Sequence, residues 1–539
     1  MTTVRAPEGN EQAISRATVS KVEDAGSAAV SGASIHRLWA IVPVLLGAAM
    51  VASNRWFTVI DDECAIIDRA AQPIFGTLRL FLRGKGQHEH PPLYDIILHG
   101  WIRLTGGEMH LLRVPSILFY VAGSLILARA AEYLGGKQSQ IWVLVLVALW
   151  PYGFHFGRVA AWYSFSFFLV SLLTLSYFKY VEERSWRGWI WFFAVSLALI
   201  YANYFGWASL VCLALDFVIR MRKSARDWVR PLVGTGALLL VSYVPILAAF
   251  LSEIHHGVKL SYLGFTTVLA WIFDLYTMFV SESVAPWFWF RGGLAGLALI
   301  VCLAIVLLQG PTPARRFLLY FAALLGVMCI LGIGETKRLM LIGAWLILPV
   351  GVTLGTLNKQ AARRALLAAL ALVASVGWYG IFARDLYAAP RWIEPWEKIG
   401  GQAAGIARAG GVVIGNNPSF FFYMTYLLPP ESASRKSEFA GLLPDSVRRS
   451  NVYVPQQWIA ANHPDATTTL LVKGLHYGVS DQPTEEVEEW LTQRCRLLSA
   501  QYLVQDTGAN WKQRFASFTG QLAWRIEVRT YTCGGLGGN

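Results

Sequence analysis

Eleven apolar runs punctuate the chain, at 36–56, 111–134, 138–155, 160–179, 187–203, 205–220, 231–251, 288–309, 316–333, 339–357 and 364–383. A helix rises about 1.5 Å per residue, so about 20 apolar residues cover a hydrocarbon core about 30 Å thick. Lipid offers no partner to backbone polar groups, so runs of this kind are expected to cross as helices. A twelfth stretch, 258–281, is also apolar enough to span. Counting it as a crossing would turn the later basic loops outward, so it is expected to form an interfacial or re-entrant helix pair.

The cations give the layout a direction. Alternate short loops carry Lys137; Lys179, Arg184 and Arg187; Arg220, Arg222, Lys223, Arg226 and Arg230; Arg315 and Arg316; and Lys359, Arg363 and Arg364. The positive-inside rule places these loops and the N-terminus in the cytoplasm. An odd number of crossings then leaves the C-terminus outside. Residues 1–35 are polar, rich in Ser, Ala and Thr, and include Arg5, Arg16 and Lys21. They are expected to be a disordered cytoplasmic tail, because a secretory signal would enter its apolar region almost at once.

From 384 to 539 no run is long enough to span, and the pattern changes to that of a small external α/β domain. VVIG at 412–415 and TLLVKG at 469–474 predict strands. PTEEVEEWLTQRC at 483–495 predicts a helix with acids in its first turn. IGNNPSF at 414–420 lacks the spacing of a phosphate loop and reads as a strand-to-helix turn. The predicted fold class is thus a polytopic α-helical membrane protein of about 11 transmembrane helices, with a C-terminal soluble α/β domain.

Composition agrees with that class. The chain is 55% hydrophobic and 15% charged, with a mean hydropathy of +0.44, where a soluble chain carries about 25% charge. The net charge of +12 is accounted for by topology and anionic headgroups. No basic-aromatic groove or finger pattern points to nucleic acid. Among the six cysteines, Cys212, Cys302 and Cys329 fall in spans and read as small core hydrophobes. Cys64 lies beside an acid cluster. Cys495 and Cys533 share the external domain, where a disulfide is permitted. No spacing resembles a zinc site.

The candidate chemistry lies in the first external loop, 57–110. Asp61, Asp62 and Glu63 are adjacent, and His88-Glu89-His90-Pro91-Pro92 follows. Carboxylates at a membrane edge are costly to keep and mark function by default; a solvated loop or an incidental cation site is the plainer alternative. Lys337 and Arg338 lie at the external end of a span, against the positive-inside trend, and so does Arg158. Such exceptions fit an anionic partner, or snorkelling to headgroups.

Several motifs fall in a specific order. Asp62-Glu63 follows the first span. His90-Pro91-Pro92-Leu93-Tyr94 leads into Trp101-Ile102-Arg103-Leu104-Thr105-Gly106, and Leu111-Leu112-Arg113-Val114-Pro115-Ser116 opens the second span. Weaker elements follow at Ala161-Trp162-Tyr163, at Tyr201-Ala202-Asn203-Tyr204-Phe205-Gly206, and at Lys337-Arg338-Leu339 with Pro349. Over roughly 36–383 this pattern resembles the bacterial branch of the protein O-mannosyltransferase and aminoarabinose-transferase-like family. These are integral membrane glycosyltransferases of the GT-C fold.

The resemblance implies a sugar donor carried on polyprenyl phosphate and a hydroxyl acceptor in a lipid, glycan or protein. It implies a bacterial inner membrane enzyme acting on the external face. Asp62 is then the candidate base, with Asp61 as its alternative if the register slips by one, and Glu63 orients the base or the acceptor. Glu89, His90, Arg158, Lys337 and Arg338 are the candidate contacts to donor phosphate or sugar. Tyr94 and Tyr163 are substrate-lining candidates, with packing the plainer role for Tyr163. No cofactor is required, although a divalent cation could sit at the acids. The sequence departs from the family where Arg158-Val159-Ala160-Ala161 replaces Gln-Glu-Ala-Arg, and where Asn203 replaces a histidine. A transporter or flippase of lipid-linked saccharides is the rival class. It would show matched halves with broken helices near the midplane, and no such halves are evident. A scaffold that binds through the external domain is a third reading.

Overall fold

The computed structural model describes residues 32–54, 61–83, 90–107, 111–221, 225–257, 265–281, 289–331, 336–383, 396–415, 464–476, 482–504 and 524–536. The membrane domain begins with α1 (Gly32–Ser53), α2 (Asp61–Ala71), α3 (Ile74–Leu82), α4 (Leu93–Thr105), α5 (Val114–Leu149) and α6 (Pro151–Gly157). It continues with α7 (Trp162–Glu183), α8 (Trp186–Ile200), α9 (Gly206–Met221), α10 (Ala225–Tyr243) and α11 (Leu247–Gly257). It closes with α12 (Phe265–Val280), α13 (Trp289–Gln309), α14 (Thr312–Ile330), a 3-10 turn at Thr336–Leu339, α15 (Met340–Thr356) and α16 (Gln360–Ala383). Among the described residues seven helical stretches are long and apolar enough to cross a membrane: Val114–Leu149, Trp162–Glu183, Pro231–Ser252, Gly292–Gln309, Thr312–Ile330, Lys337–Thr356 and Gln360–Phe382. The run predicted at 36–56 falls on α1, and those at 187–203 and 205–220 fall on the shorter helices α8 and α9. The protein is a multi-pass helical membrane protein.

The 36 residues of α5 would reach about 54 Å as one rod, far beyond a hydrocarbon core of about 30 Å. They do not form one rod. Gly135 and Gly136 leave helical geometry, and Gly136 has φ 73°, a left-handed value that glycine adopts without a Cβ clash. The hydroxyl of Tyr120 donates to the carbonyl of Val147 at 3.1 Å. In a continuous helix those residues would stand about 40 Å apart. The two halves therefore fold back on each other, as the separate runs at 111–134 and 138–155 anticipate.

At the centre lies α15, buried along almost its whole length. Its neighbours include α5 and α7. Lipid gives little drive to bring apolar helices together, so close approach depends on small residues. A Cβ on Gly351 would lie 2.4 Å from Val143, and one on Gly355 would lie 2.2 Å from Ser139. Trp345, fully buried, donates to Thr174 Oγ1 at 2.9 Å, which satisfies the indole inside the bundle. Cys212, Cys302 and Cys329 are buried and free.

Of the stretch 258–281, residues 265–280 form α12, and 258–264 lie outside the described residues. Phe273 to Val280 are buried against the bundle, and Trp150 Nε1 donates to the Met278 carbonyl at 2.5 Å. Most of the expected N-terminal tail lies outside the described residues, and helix is already present from Gly32.

The C-terminal region carries α17 (Trp396–Arg408), β1 (Val412–Gly415), β2 (Thr468–His476), α18 (Gln482–Arg494), β3 (Cys495–Val504) and β4 (Trp524–Cys533). The sheet order is β1-β2-β4-β3, with β1 parallel to β2 and the other pairs antiparallel. Side chains alternate between two faces. Val413, Leu470, Val472, Ile526 and Val528 share a core with Ile399 and Ala403 of α17. Val412, Ile414, Leu471 and Tyr531 pack with Val487 and Leu491 of α18. Cys495 and Cys533 are bonded, at paired positions on β3 and β4. The turn expected at 414–420 lies outside the described residues beyond Gly415.

Candidate active site

Helix α2 reads DDECAIIDRAA. Glu63, Ile66, Ile67 and Ala70 are buried, the i, i+3, i+4, i+7 spacing of one helix face. The apolar members of that face carry Glu63 inward with them. The acid cluster is therefore the first turn of a packed helix, not an open loop. Asp61 and Asp62 stand in the same turn, directly before Glu63; their side chains lie outside the described residues.

Glu63 is fully buried. Arg113 grips it at two points, Nε to Oε1 at 2.8 Å and Nη2 to Oε2 at 2.6 Å. The backbone N–H of Ala160 donates to Oε1 at 2.6 Å. One carboxylate thus ties together α2, the residue that precedes α5, and the turn between α6 and α7. Charge-assisted, two-point pairs of this kind are short and directional, and burial without them would be prohibitive. Arg158, in the same turn, is also buried. Its Nη1 donates to Ser53 Oγ at 2.9 Å, its guanidinium lies 5.2 Å from the Phe154 ring centroid, and it feels the charges of Arg113 and Glu63. A buried acid flanked by two guanidiniums can fix the entry to a helix and can receive an anion near the second cation.

The HPPLY segment builds a second network beside the first. Arg69 Nη2 donates to His90 Nε2 at 2.9 Å. Arginine has no acceptor, so that nitrogen carries a lone pair and the ring proton lies on Nδ1. Nδ1 in turn faces the Pro91 carbonyl at 3.0 Å. Arg69 Nε also donates to Asp95 Oδ2 at 3.2 Å. His90 is buried as a neutral ring with both nitrogens engaged, and its centroid lies 5.5 Å from that of Trp162. Glu89 lies outside the described residues.

Tyr94 and Tyr163 are both buried. The Tyr94 hydroxyl shares a 2.7 Å hydrogen bond with Ser116, whose Oγ donates to the Ala161 carbonyl at 3.4 Å. Tyr163 packs edge-on against Trp162 at 4.8 Å. The turn at 201–206 joins the same end: the Leu93 N–H donates to the Tyr201 carbonyl at 3.3 Å. Asn203 accepts from the Phe205 N–H at 2.9 Å and donates to Ser166 Oγ at 3.2 Å. Motif segments dispersed over more than a hundred residues therefore meet at one end of the bundle. Lys337 and Arg338 occupy the 3-10 turn Thr336–Leu339, which packs on α7, α12 and α15, and both are half-buried.

Sequence reasoning did not name four of these residues as site members. Arg113 was visible only as part of its motif. Arg69, Asp95 and Ser53 gave weaker signals: a cation and an acid inside otherwise apolar helical faces, and a hydroxyl at the end of the first span. Among the described residues no group of three His, Cys, Asp or Glu side chains is arranged to hold a metal ion.

No protein-family model matches the chain, and no curated protein matches it. Solved structures do. The crystal structure of ArnT from Cupriavidus metallidurans bound to undecaprenyl phosphate aligns with a TM-score of 0.52 at 12% identity, covering 94% of this chain and 100% of that one. The apo form of the same protein aligns with a TM-score of 0.52 at 13% identity and the same coverage. The chain therefore has the GT-C fold of that membrane glycosyltransferase.

Proposed function

We propose that the protein is a membrane glycosyltransferase. It moves a sugar from a polyprenyl-phosphate donor to a hydroxyl of a lipid, glycan or protein acceptor on the external face of a bacterial inner membrane. The observation that carries this reading is Glu63, buried and held at three points, which fixes the first turn of the helix that bears Asp61 and Asp62. The shared fold supports it, as does the undecaprenyl phosphate bound in the ArnT structure. The disulfide between Cys495 and Cys533 supports an external C-terminal domain, because disulfides persist in oxidising compartments.

In the proposed step Asp62 takes the proton of the acceptor hydroxyl as its oxygen attacks the anomeric carbon. The bond from that carbon to the phosphate oxygen breaks, and the lipid phosphate leaves with the electron pair. Arg158, Lys337 and Arg338 are the proposed stabilisers of that departing anion. Direct displacement inverts the anomeric centre. Glu63 has both oxygens committed, so its role is positioning, and a divalent cation at the acids would draw on Asp61 and Asp62. His90, with both ring nitrogens engaged, shapes the site together with Arg69 and Asp95.

The test is transfer by purified protein in nanodiscs, with radiolabelled polyprenyl-phosphate sugars as donors and membrane extract as acceptor. Wild type should transfer label, and Asp62→Asn should not. No transfer in nanodiscs, with donor carried across the bilayer of sealed proteoliposomes, would instead favour the flippase reading.

A further inference from the structure

Between α7, α8, α9 and α10 lies an apolar cavity of about 170 Å³. Tyr177, Phe192, Leu213, Phe217, Gly236 and Leu239 are among its walls. Thr235, which also borders it, is already engaged by Trp189 Nε1 at 2.8 Å. Beside it Val211 and Leu240 are more than half exposed, so the opening is on the lipid-facing side of α9 and α10. Tyr177 lies 15 residues along α7 from Trp162, about 22 Å from the candidate active site.

Polar chemistry begins where the cavity wall ends. The Tyr177 hydroxyl donates to Asp216 Oδ2 at 2.6 Å, and Asp216 is fully buried. Arg220 Nε reaches the same oxygen at 2.5 Å. Tyr320 donates to Oδ1 at 3.2 Å, and Arg316 Nη1 lies 3.6 Å from it. One carboxylate thus faces two guanidiniums. Nη2 of Arg220 is buried without a hydrogen-bond partner among the described residues. At this end the exposed cations Lys179 and Arg184 are offset by exposed Glu182 and Glu183, so the surplus positive charge is that of Arg220 and Arg316 over Asp216. Trp186, largely exposed and stacked on Trp189 at 4.6 Å, marks the level of a membrane interface.

We propose that this is a binding site for an anionic phospholipid. One hydrocarbon chain fills the apolar cavity, and the headgroup phosphate lies on Arg220 Nη2 and Arg316. The medium around the cavity at that depth is lipid, and the surplus cation selects negative headgroups over zwitterionic ones. The site lies at the opposite end of α7 from the carboxylate centre, and the proposal does not depend on the sugar-transfer reading.

The experiment is native mass spectrometry of protein released from nanodiscs of equal parts phosphatidylglycerol and phosphatidylcholine. Wild type should retain phosphatidylglycerol preferentially. Arg316→Gln should reduce that preference roughly fivefold, the weight of one interfacial cation. A side chain at Gly236 meets open space, so Gly236→Leu should fold while filling the cavity, and retention of the lipid should fall roughly tenfold. Equal retention of the two lipids by wild type would overturn the proposal, as would unchanged retention in both variants. Displacement of the lipid by inorganic phosphate would also overturn it, reducing the feature to a phosphate site. The wild-type preference can be read even if a variant fails to fold.

Discussion

Arg113 closes on both oxygens of Glu63 across fifty residues of sequence, and neither side chain reaches solvent. A pair of this kind is costly to build and more costly to break, because removal of one member strands the other charge in a dry interior. Arg113→Met or Glu63→Gln should therefore destabilise the membrane domain by about 3–5 kcal/mol. Thermal unfolding in nanodiscs would measure it. The double replacement Glu63→Met/Arg113→Met should be less damaging than the sum of the singles, and strict additivity would show that the pair is not coupled.

Asp62→Asn should lower sugar transfer by about a hundredfold to ten-thousandfold, the range of a lost general base. Donor binding and folding should hold, because Glu63 and Arg113 anchor the helix independently. Rates for wild type, Asp61→Asn and Asp62→Asn under identical conditions would assign the base. Normal turnover by Asp62→Asn would exclude that residue.

Arg338→Ala should weaken polyprenyl-phosphate binding by about tenfold or more, given about 1.5–3 kcal/mol for a hydrogen bond to a charged group. Titration of the purified protein with the lipid phosphate would report it. An unchanged affinity would leave Arg338 as a side chain that snorkels to headgroups.

The C-terminal α/β domain should lose stability in acid through Glu527. Burial pushes its carboxyl up, but the hydrogen bond from Arg529 and the charge of Lys473 outweigh burial and hold it below the usual carboxylate range. A depressed folded value stabilises the fold above the unfolded value of about 4.3, and that stability is lost as pH falls through the folded one. Protease resistance of residues 384–539 in the intact protein, followed from neutral to acid pH, should fall in that window. Glu527→Gln should be less resistant at neutral pH and should respond less to acid.

Much of the membrane architecture was legible because lipid imposes one rule on every span: apolar length must match bilayer thickness, and the backbone must satisfy itself. That rule located many of the helices, and the gap between the runs at 111–134 and 138–155 anticipated the break in α5, which the structure places at Gly135 and Gly136. In the C-terminal domain VVIG and TLLVKG declared themselves as strands. RLLSAQYLV and WRIEVRTYT, which form most of β3 and β4, did not. Leu497, Leu498 and Tyr502 of β3 are largely exposed, so the inward-outward alternation that betrays a half-buried strand is weak there.

By itself the sequence determined the class of the protein, the cationic loops and the segment in which acids gather. Only the tertiary structure decided what those acids do for the fold. Glu63 looked like a member of an exposed triplet, but its helix face is completed by Ile66, Ile67 and Ala70, and packing that face draws the carboxylate inside. Once there it must be neutralised, and the partners come from distant positions, Arg113 before α5 and Ala160 in the turn before α7. His90 stood in the sequence as a candidate phosphate contact, and only the fold shows that Arg69, twenty-one residues earlier, meets its ring. Hydrophobic periodicity is local and can be read along the chain. Charge compensation in a dry interior is a matter of proximity in space, and sequence order does not record it.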